Sequence, residues 1–204
     1  MATALLTAPP PPPATGPVSA AEYLALERAS PEKHEFYDGV ILPMSGASFD
    51  HNRITDETLV ALKLALRQTA CQVVGSNLRV WIEAADAFVY PDVLVICGSP
   101  ELVADQYLDT VSNPTLLVEV LSASTRAHDR GEKFALYRTI PSLQHYLLLD
   151  SRRVHAELFT RDREHVGHWH FQETTDIAAV LPLTAVGCTL ALRNAYQLAS
   201  FVAT

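Results

Sequence analysis

Tyr90-Pro91-Asp92-Val93-Leu94-Val95-Ile96-Cys97 and Thr115-Leu116-Leu117-Val118-Glu119-Val120-Leu121-Ser122 are two apolar runs, each interrupted by one carboxylate. Apolar runs of about four to eight residues are typical of buried strands. A carboxylate there is costly unless a cation or hydrogen-bond donors satisfy it. Either acid alone could be a strand-end residue or a locally paired group, but the two together predict a metal site between neighbouring strands.

The spacing of the two acids suits a hard cation. Asp92 and Glu119 lie 27 residues apart, which leaves room for a strand, a connection and an adjacent strand. If the strands are neighbours, both carboxylates can reach one ion. Mg²⁺ prefers one or two carboxylates together with waters and substrate phosphate oxygens, so the pattern predicts Mg²⁺, with Mn²⁺ as the other candidate.

A basic residue follows on a predicted helix. Asp129, Lys133 and Tyr137 are spaced by four residues and share one helical face, while Phe134 and Leu136 can pack against the sheet. Lys133 can therefore reach the metal site and stabilise developing charge there. The alternative is a solvated lysine that pairs only with Asp129.

The rest of the chain mixes helices with hairpins. Ser19 and Glu22 have capping-box spacing and predict a first helix that ends near Ser30. Asp38-Gly39 between apolar runs predicts a hairpin, with Glu35 on its first strand or just before it. Further helices are predicted over 50–69, 132–139 and 193–201, and strands over 72–74, 78–82, 91–97, 115–121, 144–149, 154–160 and 168–172. This order predicts an α/β or α+β fold with a mixed sheet.

Length and composition predict one domain. The chain has 204 residues, of which 49% are hydrophobic, enough for one packed core. Residues 1–17 read as a disordered Pro-rich leader because Pro9 to Pro13 cannot continue a helix, and 18–204 as one globular domain. No charge-free apolar stretch of roughly 18 residues occurs, so no membrane-spanning helix is expected.

Three cysteines, Cys71, Cys97 and Cys188, are widely spaced and odd in number. We therefore expect reduced thiols in a cytoplasmic protein, with no disulfide and no Cys-based zinc site. His165, His168 and His170 suggest zinc only weakly, because no fourth ligand is apparent; a solvent-facing strand edge is the favoured interpretation.

The formal net charge of −8 argues against a generic nucleic-acid-binding surface. Between residues 126 and 163, however, eight basic residues outnumber five acidic ones. Such a local face could receive a phosphodiester, although an ordinary solvated surface has the same composition.

Taken together, these residues resemble a known family. Pro91-Asp92-Val93, Val118 to Thr125, Asp129, Lys133, Tyr137 and Leu147 to Asp150, with Glu35 to Gly39 upstream, are similar to the Uma2 family of restriction-endonuclease-like proteins. The resemblance covers roughly Ser19 to Phe201. It implies a restriction-endonuclease-like core of the PD-(D/E)xK nuclease superfamily, with a mixed central sheet flanked by helices.

The resemblance also implies roles for individual residues. Asp92 and Glu119 match the Mg²⁺-binding acids of that superfamily, and Glu35 matches a third acid that could support the ion's water ligands. The superfamily's lysine two residues after the Glu is replaced here by Leu121. Either Lys133 takes over that lysine's work, which the shared helical face favours, or the site is impaired.

The predicted function is therefore Mg²⁺-dependent hydrolysis of phosphodiester bonds in nucleic acid, with DNA favoured and a homodimer expected. A non-catalytic interaction module with the same fold and a hydrolase of small phosphate substrates remain as alternatives. His51, near the start of the second helix, matches a family position whose role stays open between a cap and a substrate contact. No DNA-reading appendage is recognisable, so no target sequence is predicted.

Overall fold

The structure is a computed structural model that describes residues 16–44, 46–103, 105–123 and 125–201. Within these ranges it contains a six-stranded mixed sheet, a five-stranded mixed sheet and a two-stranded hairpin, flanked by helices. The predicted mixed α/β fold is confirmed. The predicted leader lies almost wholly outside the described residues.

The elements run as follows in chain order. The helical segments are α1 (Ala20–Ala29), α2 (Phe49–Leu66), α3 (Arg126–His128), a π turn (Asp129–Lys133), α4 (Phe134–Tyr137) and α5 (Leu192–Ala195), with 3₁₀ turns at Glu83–Ala85 and Thr184–Val186. The strands are β1 (His34–Tyr37), β2 (Val40–Pro43), β3 (Cys71–Gly75), β4 (Arg79–Ile82), β5 (Ala87–Val89), β6 (Val93–Cys97), β7 (Thr110–Val111), β8 (Leu116–Leu121), β9 (His145–Asp150), β10 (Ala156–Arg161), β11 (Trp169–Thr174), β12 (Val180–Leu183) and β13 (Cys188–Ala191).

The local signals near the N-terminus form the structures they predict. Ser19 and Glu22 make the reciprocal hydrogen bonds of a capping box, and α1 ends at Ala29. The hairpin of β1 and β2 turns at Asp38 and Gly39, whose φ angles are 43° and 88°. Positive φ at both central residues matches the twist of the flanking strands, and Asp and Gly tolerate it best.

The six-stranded sheet has the order β11-β10-β9-β8-β6-β3, and only β8 and β9 pair in parallel. Both faces of its centre are buried. Val93 and Val95 of β6 face a core shared with α2 and α5, whereas Leu94 and Ile96 face a core shared with β4 and β5 of the second sheet. Burial on both faces explains why these strands read as unbroken apolar runs.

The prediction that the chain has no disulfide is wrong. Cys71 on β3 and Cys97 on β6 occupy directly opposed positions of an antiparallel pair and form a disulfide, with Cα atoms 3.9 Å apart. Their separation of 26 residues concealed this, because strand register is a non-local property. Cys188 is the free cysteine.

Other differences concern short or irregular elements. The helix predicted from residue 132 begins at Arg126, and the predicted closing helix is only the single turn of α5 followed by further turns. Strands β5, β7, β12 and β13 were not predicted, because two to four residues are too few to show a period. None of the helices in the described part of the chain has the length and hydropathy that a membrane crossing requires.

Candidate metal and phosphate site

Asp92 and Glu119 lie side by side in the six-stranded sheet. β6 and β8 are antiparallel neighbours with Val93 opposite Val118, so continuing the register by one residue sets Asp92 opposite Glu119. Alternation along a strand places Asp92 on the same face as Leu94, and Glu119 on the same face as Leu117 and Leu121. The predicted juxtaposition of the two carboxylates is therefore present.

Glu119 is held from one side. Its Oε1 accepts hydrogen bonds from the Tyr137 hydroxyl at 2.6 Å and from Lys133 Nζ at 3.1 Å. Burial raises the pKa of Glu119 well above its ordinary value; Lys133 opposes this, and the carboxylates of Asp129, Asp92 and Glu35 add to it. Oε2 receives no hydrogen bond from any residue the structure describes, so it is free to bind a cation.

Asp92 is held in the same manner. Its Oδ2 accepts a hydrogen bond from the backbone N–H of Val120 at 2.7 Å, and Nε2 of His51 lies 3.4 Å from the same oxygen. Within the described ranges, no donor bonds to Oδ1. Each acid thus uses one oxygen to fix its orientation and keeps the other available, as metal-binding carboxylates do.

Lys133 lies at the centre of an acidic cluster. Its Nζ is 3.0 Å from Glu35, 3.1 Å from Glu119 and 3.7 Å from Asp129, and the side chain is almost fully buried. Burial alone would lower the pKa of Lys133, but Glu119 and Glu35 outweigh it, and the pKa is raised well above its ordinary value. The lysine therefore remains an ammonium.

The π turn aligns the helical residues of the site. In an uninterrupted α-helix, residues eight apart are about 80° out of line. The segment from Asp129 to Lys133 is wound more widely, with bonds over five residues, which reduces that angle between Asp129 and Tyr137. Asp129, Lys133 and Tyr137 share the face that the sequence predicted, and Phe134 packs on Tyr146 and Phe159 of the sheet.

Glu35 reaches the cluster from β1. Its Oε2 accepts a hydrogen bond from the Tyr37 hydroxyl at 2.6 Å, and its Oε1 accepts one from the backbone N–H of Tyr90 at 3.1 Å. Sequence reasoning missed Tyr37 and Tyr90. Tyr37 is two residues from Glu35 and so leaves the strand on the same face, a signal that the period of two could have supplied. Tyr90 gave no comparable signal.

His51 lies beside Asp92 and does not cap α2. The helix is capped by Ser48, whose hydroxyl accepts the backbone N–H of His51. Burial alone would lower the pKa of His51, but Asp92 outweighs it and raises the pKa. His51 is thus a polar partner of the carboxylate, a role that its position in the sequence left open.

The charged groups of the site line one pocket of about 660 Å³ between β1, the start of α2, the ends of β6 and β8, and α3. Its charged lining comprises five carboxylates (Glu32, Glu35, Asp92, Glu119 and Asp129) and two ammonium groups (Lys33 and Lys133), with His51 and His128. The carboxylates outnumber the ammonium groups by three. This excess of negative charge favours a divalent cation.

The donors fit a hard cation that keeps water ligands. In the described ranges, no three His, Cys, Asp or Glu side chains converge as a complete metal cage. Two carboxylate oxygens without other partners are a ligand set suited to Mg²⁺, which relies on waters and substrate oxygens for the rest. His165 and His170, on the exposed edge near β11, each lie beside the carboxylate of Asp162, and the His165 ring stacks on that of His168.

The basic segment between residues 126 and 163 has three arginines with internal partners. Arg126 pairs with Asp150, Arg130 pairs with Glu157, and Arg161 donates to backbone carbonyls including those of Leu143 and Ile140. Arg126, Arg130 and Arg161 are therefore occupied by internal contacts, whereas Arg138, Arg152, Arg153 and Arg163 are exposed.

The Uma2 family model, described as "Putative restriction endonuclease", matches residues 20–193. The chain belongs to the Uma2 family. The match spans every element that contributes to the pocket, so the resemblance inferred from the motifs is confirmed.

Two curated relatives of this Uma2 chain are uncharacterised proteins from Synechocystis sp. (strain ATCC 27184 / PCC 6803 / Kazusa). One is 42% identical over 133 residues, covering 65% of this chain and 75% of the relative. The other is 37% identical over 152 residues, covering 74% of this chain and 77% of the relative.

A solved structure has the same fold. The crystal structure of a "putative nuclease belonging to DUF820" from Anabaena variabilis ATCC 29413 superposes with a TM-score of 0.67, covering 89% of this chain and 98% of that chain. Sequence identity is 15%, so this likeness concerns the fold alone.

Proposed function

We propose that this Uma2 protein is a Mg²⁺-dependent nuclease that hydrolyses phosphodiester bonds of nucleic acid, with DNA the favoured substrate. One observation carries the proposal: opposed Asp92 and Glu119 each have one oxygen fixed by protein donors and one oxygen to which no residue of the described ranges donates a hydrogen bond. Membership of a family described as "Putative restriction endonuclease" supports it.

Asp92 and Glu119 would hold Mg²⁺, and Mn²⁺ is the other candidate. When bound, the ion supplies charge neutralisation at the phosphate and a lowered pKa for coordinated water. The acidic pocket repels a phosphodiester in the absence of a cation, which is a physical reason for metal dependence.

Lys133 supplies the positive charge that Leu121 cannot provide at the superfamily's lysine position. Its ammonium, held by Glu35 and Glu119, is positioned to orient the attacking water or to stabilise negative charge on the phosphate oxygens. Glu35 fixes Lys133 and is itself fixed by Tyr37 and Tyr90. Glu35 is therefore proposed as a positioning residue that also supports the ion's water ligands.

The first test is calorimetric titration of Mg²⁺ and Mn²⁺ into the wild type and Asp92→Asn. The amide can still accept the Val120 N–H, so the variant removes ligand charge without removing the backbone contact. We expect binding by the wild type and its loss in the variant, followed by metal-dependent cleavage of DNA by the wild type only. Equal binding by both proteins would remove Asp92 from the site.

A second candidate is a hydrolase of small phosphate compounds, favoured by the pairing of Arg126 and Arg130 with internal acids. Binding to long DNA separates the candidates. A nuclease that contacts several phosphates weakens steeply with salt, whereas a small-substrate enzyme binds long DNA poorly at any salt concentration. A non-catalytic module would show neither cleavage nor turnover of small phosphates.

The proposal includes a homodimer, because two copies of the site would address two strands, and sedimentation equilibrium tests it. It also includes a cytoplasmic location.

A further inference from the structure

Lys33 is a second ammonium in the pocket, and its surroundings differ from those of Lys133. Lys133 contacts three carboxylates, whereas Lys33 Nζ donates to two uncharged acceptors, the carbonyl oxygen of Ser76 and Oδ1 of Asn77, both at 2.7 Å. In the part of the chain that the structure describes, no carboxylate forms an ion pair with Lys33. Its positive charge is therefore not neutralised by a contact.

The position of the ammonium is defined. An ammonium group has three N–H donors, of which Ser76 and Asn77 use two. The Tyr90 ring lies 5.2 Å from Nζ and adds a cation–π contact. Lys33 is thus held at the turn between β3 and β4, with one donor left for a ligand.

The pocket connects Lys33 to the proposed catalytic site. Lys33 and Ser76 line the same cavity as Asp92, Glu119 and Lys133. A polynucleotide carries phosphates on both sides of the one that is cleaved, and each must be accommodated beside the excess of carboxylates. Of the two ammonium groups that line the pocket, Lys133 contacts three carboxylates, so Lys33 is the one whose charge is available to such a phosphate.

We infer that Lys33 binds a non-bridging oxygen of a phosphodiester adjacent to the scissile one, which makes the substrate a polynucleotide and not a small phosphate compound. This inference rests on the proposed nuclease function. Lys33 is a substrate-binding residue in this account and takes no part in the chemical step.

The test is the salt dependence of duplex DNA binding, measured by fluorescence anisotropy with Ca²⁺ in place of Mg²⁺ after a gel has shown that the DNA stays intact. Each duplex phosphate contact contributes about 0.9 to the slope of log K against log salt. We expect Lys33→Gln to reduce the slope by about 1 and to weaken binding several-fold at low salt, and Lys33→Arg to retain the slope.

Two matched variants control for other effects. Lys63→Gln removes an exposed lysine of α2 and should leave the slope unchanged. Asn77→Ala removes a hydrogen-bond partner of Lys33 without removing charge. A wild-type slope in Asn77→Ala therefore shows that the lower slope of Lys33→Gln does not come from loss of this hydrogen bond. Thermal unfolding of each variant confirms that it is folded.

The outcomes separate the two levels of the argument. In one outcome, folded Lys33→Gln shows the wild-type slope while its DNA binding still requires Ca²⁺ and Asp92. That result overturns the role of Lys33 and leaves the nuclease proposal standing. Absence of Ca²⁺-dependent DNA binding by the wild type overturns the nuclease proposal and the role of Lys33 with it.

Discussion

The ammonium of Lys133 lies 3.1 Å from Oε1 of Glu119, although one residue belongs to a π turn and the other to a central strand. Both side chains are almost fully buried. This contact joins the helix to the carboxylate pair, and it links the stability of the protein to the charge balance of its site.

Replacing Lys133 should therefore destabilise the protein. Lys133→Met leaves Glu35, Glu119 and Asp129 without their shared cation, and breaking a buried ion pair in this way costs about 3–5 kcal/mol. Chemical denaturation without metal measures the loss, with exposed Lys63→Met as the control. Mg²⁺ should restore part of the stability, and a variant as stable as the wild type would contradict the assigned charge balance.

Metal binding should stabilise the wild type and not Glu119→Gln. A ligand that binds only the folded state adds about 2.7 kcal/mol when its concentration is 100 times Kd. The amide keeps an oxygen for Tyr137 but lacks the charge that binds Mg²⁺. Thermal unfolding across a Mg²⁺ series measures both proteins, and parallel shifts in the two would place the ion elsewhere.

Tyr137→Phe should weaken metal affinity about 10- to 100-fold, because removing a partner that orients a ligating carboxylate has that effect. The hydroxyl donates to Glu119 Oε1 at 2.6 Å and fixes the orientation of the free Oε2. Calorimetry measures the change independently of activity. Tyr196→Phe is the control, because the Tyr196 hydroxyl donates to the His155 carbonyl, away from the carboxylate pair. Unchanged metal affinity in Tyr137→Phe would restrict Tyr137 to packing.

Reduction of the disulfide should cost about 3.5 kcal/mol of stability, because Cys71 and Cys97 close a loop of 26 residues. Unfolded, unreduced protein should show one reactive thiol, that of Cys188, and reduced protein should show three. Thiol titration and denaturation of Cys71→Ser measure both effects. Three reactive thiols without reductant would show that the bond does not form.

Stability should fall between pH 6.5 and about pH 4 because of His145. Burial, with a smaller effect of Arg163, lowers its pKa to about 4, so the unfolded chain binds the proton first as the pH falls. Nε2 accepts the Ala185 N–H, a bond that protonation removes. The full shift corresponds to about 3 kcal/mol.

Urea unfolding at a series of pH values compares the wild type with His145→Gln. The variant should show a shallower loss of stability on the acid side, whereas His168→Gln, which replaces an exposed histidine, should follow the wild type. Identical acid profiles for the wild type and His145→Gln would assign the loss to other groups.

Much of the site follows from local pattern. Asp92 and Glu119 stand out because each lies against an apolar run, and Lys133 because helical spacing sets it on one face with Asp129 and Tyr137. Glu35 rested on the family resemblance and on its place beside the Asp38-Gly39 turn. These signals arise from local sterics and from the periodicity of strands and helices, so they can be recognised in a single sequence.

The tertiary structure alone decided which distant groups meet. Strand register paired Cys71 with Cys97, and packing brought Tyr90 to Glu35 and set Lys33 in the pocket beside the two carboxylates. It also paired Arg126 and Arg130 with internal acids, although the composition of their segment had suggested a basic face. Contacts between residues far apart in the chain depend on register and on the packing of whole elements, and no local period records either.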